Sequence, residues 1–501
     1  MSTSDGTVKG IQKIIDNGDD ALRWNVVILS EGYQDSELAT FSTDAQQFAT
    51  TLSTTAPFDT LWKGINVHAV SVSSTDSGAA DPVNCGDHST GSGAAPHTYF
   101  DAKFCGDGAI RRLLTVDTAS ALSVATAQLG RAPGVTFVMV NSTQYGGSGA
   151  TGVAVFSKAP GASGQVGMHE MGHSVFGLAD EYGTYAGCTI NETGHDTYTG
   201  TEPTEPNVTA NITTLKWQSL VTTHTIPTST NPDCTKCGDT GASPVAAGTV
   251  GAFTGARYFH CGLYRPEFDC RMRTVGGTQG FCAVCRNVII TLVKPFVPPT
   301  VTGISPSQGP ETGGTAVTII GTGFTGATSV GFGVTGALTL KVDSDTQITT
   351  TSTAGTGTVD VTVITKAGTS PVGSADQFVY QPDSSSSSSS GDSSSSGDSS
   401  DSSSSGDSGD SSSSSDSGDS SSSSDSGDSS SSGDSGDSSS SSDSGDSSSS
   451  GDSGDSSSSG DSGDSSSSGD SGDSDSSSDS GDSGDSGSNV RTSKTRKAPS
   501  R

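Results

Sequence analysis

The feature that most restricts the fold of this chain is the pentapeptide His169-Glu170-Met171-Gly172-His173. Its two histidines stand four residues apart, so on a helix both imidazoles leave the same face one turn apart and can bind one metal ion. Glu170 would then lie beside the metal rather than on it, where a carboxylate can act as a general base toward water. The alternative, two histidines that only pack a helix, does not account for the residues that follow.

Those residues indicate how the metal site is completed. Gly177 can end the helix in a left-handed conformation and turn the chain back, so that Asp180 returns toward the metal. A catalytic zinc site needs three protein ligands and one open position. We therefore predict that His169, His173 and Asp180 bind one Zn²⁺ ion and that Glu170 is the catalytic base.

Other carboxylates compete with Asp180 for the place of the third ligand. Glu181 is next in the chain, and Glu192, Glu202 or Glu205 would serve if the ligand came from a more distant segment. In metzincin zinc peptidases the glycine and the third ligand come one residue earlier, so the spacing here is a close variant of their motif.

The cysteines indicate the compartment. All nine lie between Cys85 and Cys285. This density predicts disulfides in an oxidising compartment, with one thiol left over. The pairs Cys234-x-x-Cys237 and Cys282-x-x-Cys285 could instead form a structural zinc site, although their separation is longer than in the usual zinc ribbons.

An extracellular or cell-surface location is therefore expected, although residues 1–6 lead into no apolar segment and no signal peptide is predicted. No segment approaches the roughly 18 apolar residues that a membrane span needs. The chain has a net charge of −31, but residues 383–488 hold 24 Asp and the last thirteen residues hold five basic ones, which leaves −12 on residues 1–382. An acidic folded part argues against nucleic acid as a partner.

Residues 1–295 are predicted to form one α/β domain. Short apolar segments at Trp24–Ser30, Ile65–Val72 and Val135–Asn141 are typical of buried strands. Helices are predicted over residues 8–22, 37–51 and 111–129. The resulting alternation of strands and helices is typical of an α/β (α+β) fold.

A glycine-rich segment precedes the histidine motif. Tyr145-Gly146-Gly147 forms a flexible turn, and Gly152–Phe156 is predicted to be an edge strand. An edge strand above a zinc helix can bind the backbone of a peptide substrate, and Tyr145, Gly146 and Gly147 are candidates for that role. An ordinary glycine hairpin is the alternative.

The C-terminal part divides by composition. A proline-rich linker occupies residues 296–300, and short alternating strands between glycine turns predict an all-β immunoglobulin-like sandwich over residues 301–381. Residues 382–488 are almost wholly Ser, Asp and Gly and cannot bury a core, so a disordered stalk is predicted. A basic tail, residues 489–501, ends the chain.

Taken together, these segments resemble the IgA-specific metallo-endopeptidase family of zinc peptidases over about residues 24–295. The resemblance is carried by His169–His173 with Gly177–Tyr182, Leu29–Tyr33, Ala56–Phe58, Val140–Asn141, Tyr145–Gly147, Tyr264–Pro266 and Met272–Arg273. Residues 301–381 are similar to the IPT/TIG immunoglobulin-like fold, whose glycine-rich motif recurs at Gly313–Phe324.

The resemblance implies a metzincin-like zinc endopeptidase with Met272 in a supporting turn below the metal. Some metzincins carry an oxyanion-stabilising tyrosine two residues past that methionine, but this chain has Thr274 there. Tyr182 or Tyr264 is the candidate for the role instead. The resemblance does not imply that IgA is the substrate, because specificity lies in variable loops.

The predicted function is hydrolysis of peptide bonds in protein substrates by a zinc-activated water, with Glu170 as base. The alternative is a non-catalytic extracellular adhesion protein with a degenerate peptidase domain. In either case the sandwich would contact extracellular glycans or proteins, and neither nucleic acid nor a membrane span is expected.

Overall fold

The computed structural model describes residues 5–159, 161, 163–184, 195–238, 242–276 and 280–382. Residues 383–488 of the predicted stalk, the basic tail and Glu192 lie outside these ranges. The described residues belong to one compact unit. Within them, no helix is both long and apolar enough to cross a membrane.

A six-stranded sheet organises the first part of the chain. Its strands are Gly6–Ile15 (β1), Trp24–Glu31 (β2), Ile65–Ser74 (β3), Val135–Val140 (β4), Gly147–Ala150 (β5) and Val153–Ser157 (β6). Their spatial order is β1-β3-β2-β4-β6-β5, with β2, β3, β4 and β6 parallel and with antiparallel strands β1 and β5 at the two edges. The predicted strands at 24–30, 65–72 and 135–141 are confirmed as β2, β3 and β4.

Helices cover both faces of this sheet, as its buried parallel strands require. They are Leu38–Ser53 (α1), Phe58–Leu61 (α2), Thr118–Leu129 (α3), Ser163–Ser174 (α4) and Ala283–Val293 (α5). The apolar residues of α1, α4 and α5 form one hydrophobic core, and those of α3 form a second core on the opposite face. Phe48 of α1 contacts Phe137 of β4 and Phe156 of β6, with ring centroids 4.7 and 4.9 Å away.

The helix predicted over residues 8–22 is wrong, because β1 is an extended edge strand paired with β3. Irregularities in its register between Val8 and Gly10 and between Lys13 and Ile15 interrupt the alternation of a regular strand. As a result, apolar residues recur at three- and four-residue intervals, and the pattern imitates a helix.

The helix predicted over residues 111–129 begins only at Thr118. Asp117 caps it, with its carboxylate accepting a hydrogen bond from the Ser120 amide. Before it, residues 111 and 112 lie in a turn, and Leu113 and Thr115 form isolated bridges with Gly147 and Lys103.

The prediction that Gly152–Phe156 is an edge strand is also wrong. β6 lies between β4 and β5 and is buried throughout, whereas β5 is the edge. β5 consists of Gly147, Ser148, Gly149 and Ala150. Without larger apolar side chains it carries no period-2 signal, so the sequence pattern pointed to its buried neighbour.

A small hairpin precedes α5 and reaches back toward α4. It consists of Phe253–Ala256 (β7) and Phe259–Arg265 (β8), paired antiparallel. Lys294–Phe296 form a 3-10 turn after α5, and the next strand starts at Thr300. The division of domains at residues 295 and 301 stays a prediction.

Ten short strands form the predicted β-sandwich, which is confirmed. One sheet has the order β10-β18-β16-β12-β13 with β17 beside β16, and the other has the order β14-β15-β11-β9. The bounds are Thr300–Ser305 (β9), Gln308–Pro310 (β10), Ala316–Thr322 (β11), Ser329–Phe332 (β12), Thr335–Gly336 (β13), Thr339–Ser344 (β14), Gln347–Thr351 (β15), Thr358–Thr365 (β16), Gly368–Thr369 (β17) and Gln377–Gln381 (β18). A core that includes Val317, Ile319 and Phe378 fills the sandwich.

Candidate metal centre

The two histidines of the motif leave the same face of α4. Their Nε2 atoms are 3.1 Å apart, with His169 buried and His173 partly exposed. α4 can lie close to the sheet because Gly167 carries no side chain: a Cβ there would be 3.0 Å from Phe156. The predicted helix and the shared face of the two histidines are both present.

The turn after α4 brings a carboxylate to the histidines. Gly177 has φ +60°, the left-handed conformation that the sequence predicts. Asp180 Oδ1 then lies 3.1 Å from the Nε2 atom of His169 and 3.1 Å from that of His173. The three atoms form an equilateral triangle. Zinc with bonds of about 2.0 Å in tetrahedral geometry would require edges of about 3.3 Å.

Hydrogen bonds on the far side of each ring support this arrangement. His169 Nδ1 lies 2.9 Å from the Arg271 carbonyl oxygen, and His173 Nδ1 lies 2.7 Å from that of Leu178. Because a carbonyl only accepts, each Nδ1 must donate, which leaves a lone pair on each Nε2 of a neutral imidazole.

The triangle therefore consists of groups that repel each other unless a cation lies between them. Asp180 Oδ1 is buried and accepts no hydrogen bond with acceptable geometry from the residues that the structure describes. Two nitrogen lone pairs and one carboxylate oxygen converge on a single point. This donor set, two imidazoles and one carboxylate, fits a divalent metal such as zinc.

The electrostatics of the metal-free chain agree with this. Burial lowers the pKa of His173, but the Asp180 carboxylate more than compensates and raises it to about 9. Burial raises the pKa of Asp180, but the two histidines outweigh it and hold that pKa far below its usual range. Because a metal binds the neutral imidazole, metal binding would compete with protonation of His173.

Tyr258 is a site residue that the sequence did not reveal. It occupies the tip of the β7–β8 hairpin with Arg257, and both have positive φ values, 48° for Arg257 and 69° for Tyr258. The Arg257 amide donates to the Asp180 carbonyl, and the Tyr258 amide donates to that of Tyr182. The Tyr258 hydroxyl lies 2.5 Å from Asp180 Oδ2 and donates to it.

A left-handed conformation is uncommon for a bulky residue, and such strain concentrates at functional sites. Two-residue hairpin turns of this geometry normally carry Asn-Gly or Asp-Gly, so Arg-Tyr gives no turn signal in the sequence. The hairpin is held in place by its bonds to residues 180–182, and it orients the Asp180 carboxylate.

Glu170 lies directly beneath β5. A Cβ on Gly147 would be 2.8 Å from Glu170 Oε1, and a Cβ on Gly149 would be 2.8 Å from His173 Cβ. The edge strand can therefore cross the helix this closely only with glycine at these positions. Burial raises the pKa of Glu170, and the neighbouring His169 and His173 act in the opposite direction. A raised pKa suits a group that takes up and returns a proton.

The segment proposed to bind substrate lies beside Glu170, but it is partly covered. The Gly147 amide donates to the Arg112 carbonyl, and the Leu114 amide donates to the Gly147 carbonyl. The outer edge of β5 is thus already paired at Gly147. Because hydrogen bonding alternates along a strand, the next outward-facing peptide group belongs to Gly149. Tyr145, 43% exposed, lies at the entrance to this edge.

The two tyrosines proposed for the oxyanion have different positions. The ring of Tyr182 is stacked on His169, with centroids 6.5 Å apart and planes at 11°. Its hydroxyl interacts with Asp180 and with Arg112, a second residue that the sequence did not reveal. Tyr264 lies in β8, and within the described ranges it has no side-chain hydrogen bond or ring contact with the three ligands.

Met272 lies below the helix that carries the histidines. It is fully buried, and a Cβ on Gly172 would be 2.5 Å from its Sδ atom. The amides of Arg273 and Thr274 donate to the Cys270 carbonyl and form a tight turn around it. The turn includes Arg271, whose carbonyl oxygen accepts a hydrogen bond from His169 Nδ1. The turn therefore fixes the orientation of the His169 ring.

The competing carboxylates that the structure describes, Glu181, Glu202 and Glu205, have other partners. Glu202 accepts hydrogen bonds from Thr209 and Ala210, and Glu205 lies 3.5 Å from Arg257. Glu181 contacts three cysteines rather than the histidines. Of the carboxylates considered as the third ligand, Asp180 alone meets both histidines in the part of the chain that the structure describes.

The cysteines depart from the prediction. Cys85–Cys105 and Cys234–Cys261 are disulfides, and Cys237 is also disulfide-bonded. Three thiols are free rather than one, namely Cys270, Cys282 and Cys285. The two C-x-x-C pairs do not share a site, since the first is used in disulfides. Sequence spacing alone cannot reveal which cysteines the fold separates.

Comparison with known families matches residues 12–237 and 241–293 to the family described as IgA Peptidase M64. This match covers more than half of the chain. Residues 299–380 match the IPT/TIG domain. Among curated proteins, no relative matches.

Three solved structures have a local likeness to the chain. Two are of the Plexin A4 full extracellular region, domains 1 to 8 and domains 1 to 10; both are 28% identical, with TM-scores of 0.15 and 0.16, and cover 17% of this chain and 8% and 7% of theirs. The third is SGBP-B from a complex xyloglucan utilization locus in Bacteroides uniformis, 27% identical, with a TM-score of 0.14, covering 15% of this chain and 21% of its own. The chain spans less than a quarter of each, and nothing about its own function follows from them.

Proposed function

The chain belongs to the IgA Peptidase M64 family, and from this premise we propose that it is a zinc-dependent endopeptidase acting on protein substrates. Family membership implies a peptidase. The zinc ion, the ligands and the mechanism are our proposal. The observation that carries it is the triangle of His169 Nε2, His173 Nε2 and Asp180 Oδ1, with 3.1 Å edges.

His169, His173 and Asp180 would hold the ion. When bound, zinc supplies a Lewis acid that polarises a substrate carbonyl and increases the acidity of water. Glu170, one residue after the first ligand and under β5, is positioned to take a proton from water and to return it to the leaving amine. Burial keeps its pKa raised, which makes the carboxylate a stronger base toward water.

The residues around the triangle support transition-state stabilisation and substrate alignment. Tyr182 stacks on His169 and places its phenol beside Arg112. Burial raises the pKa of Tyr182 well above its usual value, so the phenol remains a hydrogen-bond donor. The outward peptide group of Gly149 would pair with an extended substrate.

The arrangement supports a metzincin-like interpretation of the fold. Three features agree with it: the Gly177 turn after the helix, the antiparallel edge strand above it, and Met272 packed beneath it at Gly172. The departure at Thr274 shifts the oxyanion role toward Tyr182. Tyr264 is less suited to that role, because it contacts neither histidine.

We place the enzyme outside the cytoplasm. The disulfides Cys85–Cys105 and Cys234–Cys261 need an oxidising compartment. The IPT/TIG domain would then contact extracellular proteins or glycans. This part of the proposal is independent of the catalytic residues.

Replacing Glu170 by Ala tests the proposal. The full chain and the variant are incubated with a denatured protein, with added zinc and with a chelator, and cleavage is followed by mass spectrometry. Glu311→Ala, in the sandwich domain, is the matched control. We expect cleavage by the parent chain and the control only in zinc. Equal cleavage by Glu170→Ala and the parent chain, or none by either in zinc, would overturn the proposal and favour a non-catalytic adhesion protein.

A further inference from the structure

A second cluster of metal-ligating groups lies behind the histidine site and is unused by the chemistry proposed above. It consists of Glu181, Cys270, Cys282 and Cys285. All four side chains are buried, with at most 2% of any residue exposed. They come from three separate segments: the irregular segment directly after Asp180, the turn that contains Met272, and the start of α5.

The spacing of the four groups matches a tetrahedral metal. Cys285 Sγ lies 3.8 Å from Cys270 Sγ and 3.4 Å from Glu181 Oε1, while Cys282 Sγ lies 3.8 Å from the same carboxylate oxygen. Zinc bonds of about 2.3 Å to sulfur and about 2.1 Å to oxygen would require edges of about 3.8 Å between sulfurs and about 3.6 Å between sulfur and oxygen.

Backbone amides point at the sulfurs. The Cys282 amide lies 3.2 Å from Cys270 Sγ, and the Cys285 amide lies 3.4 Å from Cys282 Sγ. The Met272 amide also donates to Cys270 Sγ. Such N–H donors favour the thiolate, the form of cysteine that binds a metal.

Glu181 provides independent support for a cation at this position. Its Oε1 atom accepts a hydrogen bond of 2.9 Å from Asn207 Nδ2, but its Oε2 atom is buried without any partner among the described residues. Leaving a carboxylate oxygen buried and unpaired is costly unless a cation compensates it.

The state of the other cysteines strengthens this argument. The cysteines at 85, 105, 234, 237 and 261 are disulfide-bonded, yet these three neighbouring thiols are free. In an oxidising compartment, adjacent thiols form disulfides unless something holds them apart. A bound metal does this, because its ligands are fixed at the edges of a tetrahedron.

From these observations we infer that Glu181, Cys270, Cys282 and Cys285 form a second, structural zinc site. Three thiolates and one carboxylate select a borderline-soft ion over Ca²⁺ or Mg²⁺. All four positions come from the protein, so the site has no place for water. Its role is to fasten the segment that carries Asp180 to the turn that carries Arg271 and Met272. This inference does not depend on the chain being an active peptidase.

The test uses the full chain, purified with zinc and without strong reductant. Metal analysis of the parent chain should give two zinc ions per chain. His169→Ala/His173→Ala should leave one, and Cys282→Ser/Cys285→Ser should remove the other. Cys85→Ser/Cys105→Ser, which breaks a disulfide elsewhere, should keep two.

Cobalt substitution keeps the inference testable even where the cysteine variant does not fold. Thiolate ligands give Co²⁺ a sulfur-to-metal charge-transfer band in the near ultraviolet, which two histidines and an aspartate cannot give. The band should appear in the cobalt-loaded parent chain and persist in His169→Ala/His173→Ala. Its absence from the parent chain, or a disulfide among Cys270, Cys282 and Cys285 found by peptide mapping, would overturn the inference. Activity is not read in either experiment. If the histidine site bound no zinc, the parent chain would hold one ion that His169→Ala/His173→Ala keeps and Cys282→Ser/Cys285→Ser loses, and the cobalt–sulfur band would be unchanged.

Discussion

Two clusters of potential metal ligands lie next to each other in this protein, and they differ in access to solvent. The His169–His173–Asp180 cluster has three ligands, and 22% of the His173 side chain is exposed. The Glu181–Cys270–Cys282–Cys285 cluster has four ligands, all buried. Catalytic zinc sites keep one position open, whereas structural sites are closed by four protein ligands. The first cluster is therefore suited to chemistry, and the second to holding the fold together.

The two clusters share a scaffold. Asp180 and Glu181 are adjacent in the chain but serve different clusters, and the turn at 270–274 contributes Cys270 to one and the Arg271 carbonyl to the other. The Glu181 amide donates to the Met272 carbonyl at 2.7 Å and joins the two segments directly. Damage to one cluster should thus reach the other through these segments, but with a smaller effect.

Substitutions of the two adjacent carboxylates, Asp180 and Glu181, should distinguish the two clusters most clearly. Asp180→Ala removes a proposed direct ligand, so we expect the histidine site to lose its zinc. We also expect kcat/KM on a peptide substrate to fall by more than about 100-fold, the upper range for residues that only support a ligand. Glu181→Gln should retain most of the activity and lose the second zinc. Asp196→Ala, an exposed position, is the control. Full zinc content in Asp180→Ala would transfer the ligand role to another carboxylate.

A substitution in the edge strand β5 should have the next largest effect on activity. It should affect only the His169–His173–Asp180 cluster. Gly147→Ala places a Cβ 2.6 Å from Val166 and 2.8 Å from Glu170 Oε1, which must displace the base. A displacement of about 1 Å at a reacting group costs up to about 100-fold in rate. We expect kcat to fall while both zinc ions remain. Gly303→Ala, where no atom lies within 4 Å of the new Cβ, is the matched control. An unchanged kcat would show that β5 does not influence the reaction.

The hydroxyl of Tyr258 tests the comparison at the level of one functional group. Tyr258→Phe removes the hydroxyl that donates to Asp180 Oδ2 and that also hydrogen-bonds Tyr182. Partners of metal ligands are worth about 10–100-fold in metal affinity or activity, so we expect a loss in that range at the open site and none in cobalt–sulfur absorption. Tyr198→Phe, whose hydroxyl bonds the Thr201 carbonyl at the surface, should behave like the parent chain. If both variants lose activity equally, the hydroxyl of Tyr258 has no special role.

Asn207 connects the two clusters, and its removal should have the smallest effect on activity. Its side chain bonds the amide and carbonyl of Ala179 and also Glu181 Oε1. Asn207→Ala leaves these buried groups unpaired, which should lower the free energy of unfolding by about 1–3 kcal/mol in urea titration. Asn287→Ala, on the exposed side of α5, is the control. A variant as stable as the parent chain would contradict the idea that this side chain fastens both segments.

The convergence of His169, His173 and Asp180 was largely predictable from sequence, because the three residues lie within twelve positions of one another. The spacing of His169 and His173 on a helix, the turn at Gly177 and the nearby Asp180 are local relations, and local relations survive in a pattern. Tyr258 and Arg112 were not predictable. Each comes to Asp180 or Tyr182 from a distant segment, and the Arg257-Tyr258 turn uses residues that no turn preference selects.

The closed cluster and the edge strand show the same limit. Cys282 and Cys285 were recognised as a pair, but their partners Cys270 and Glu181 are defined by the fold rather than by spacing. At β5, Gly147 and Gly149 allow close approach to α4 but carry no side chain, so the alternation by which a strand is recognised is absent. At β1, register irregularities turned an alternating pattern into a helical one.

X-ray anomalous diffraction at the zinc absorption edge, on crystals of the protein grown with zinc, would locate each bound zinc ion and its ligands. We predict one peak bonded to His169 Nε2, His173 Nε2 and Asp180 Oδ1, with a fourth position facing solvent, and a second peak enclosed by Glu181 and the three cysteines. Absence of a peak between the two histidines, or a peak there without Asp180 as a ligand, would contradict the account of the catalytic site.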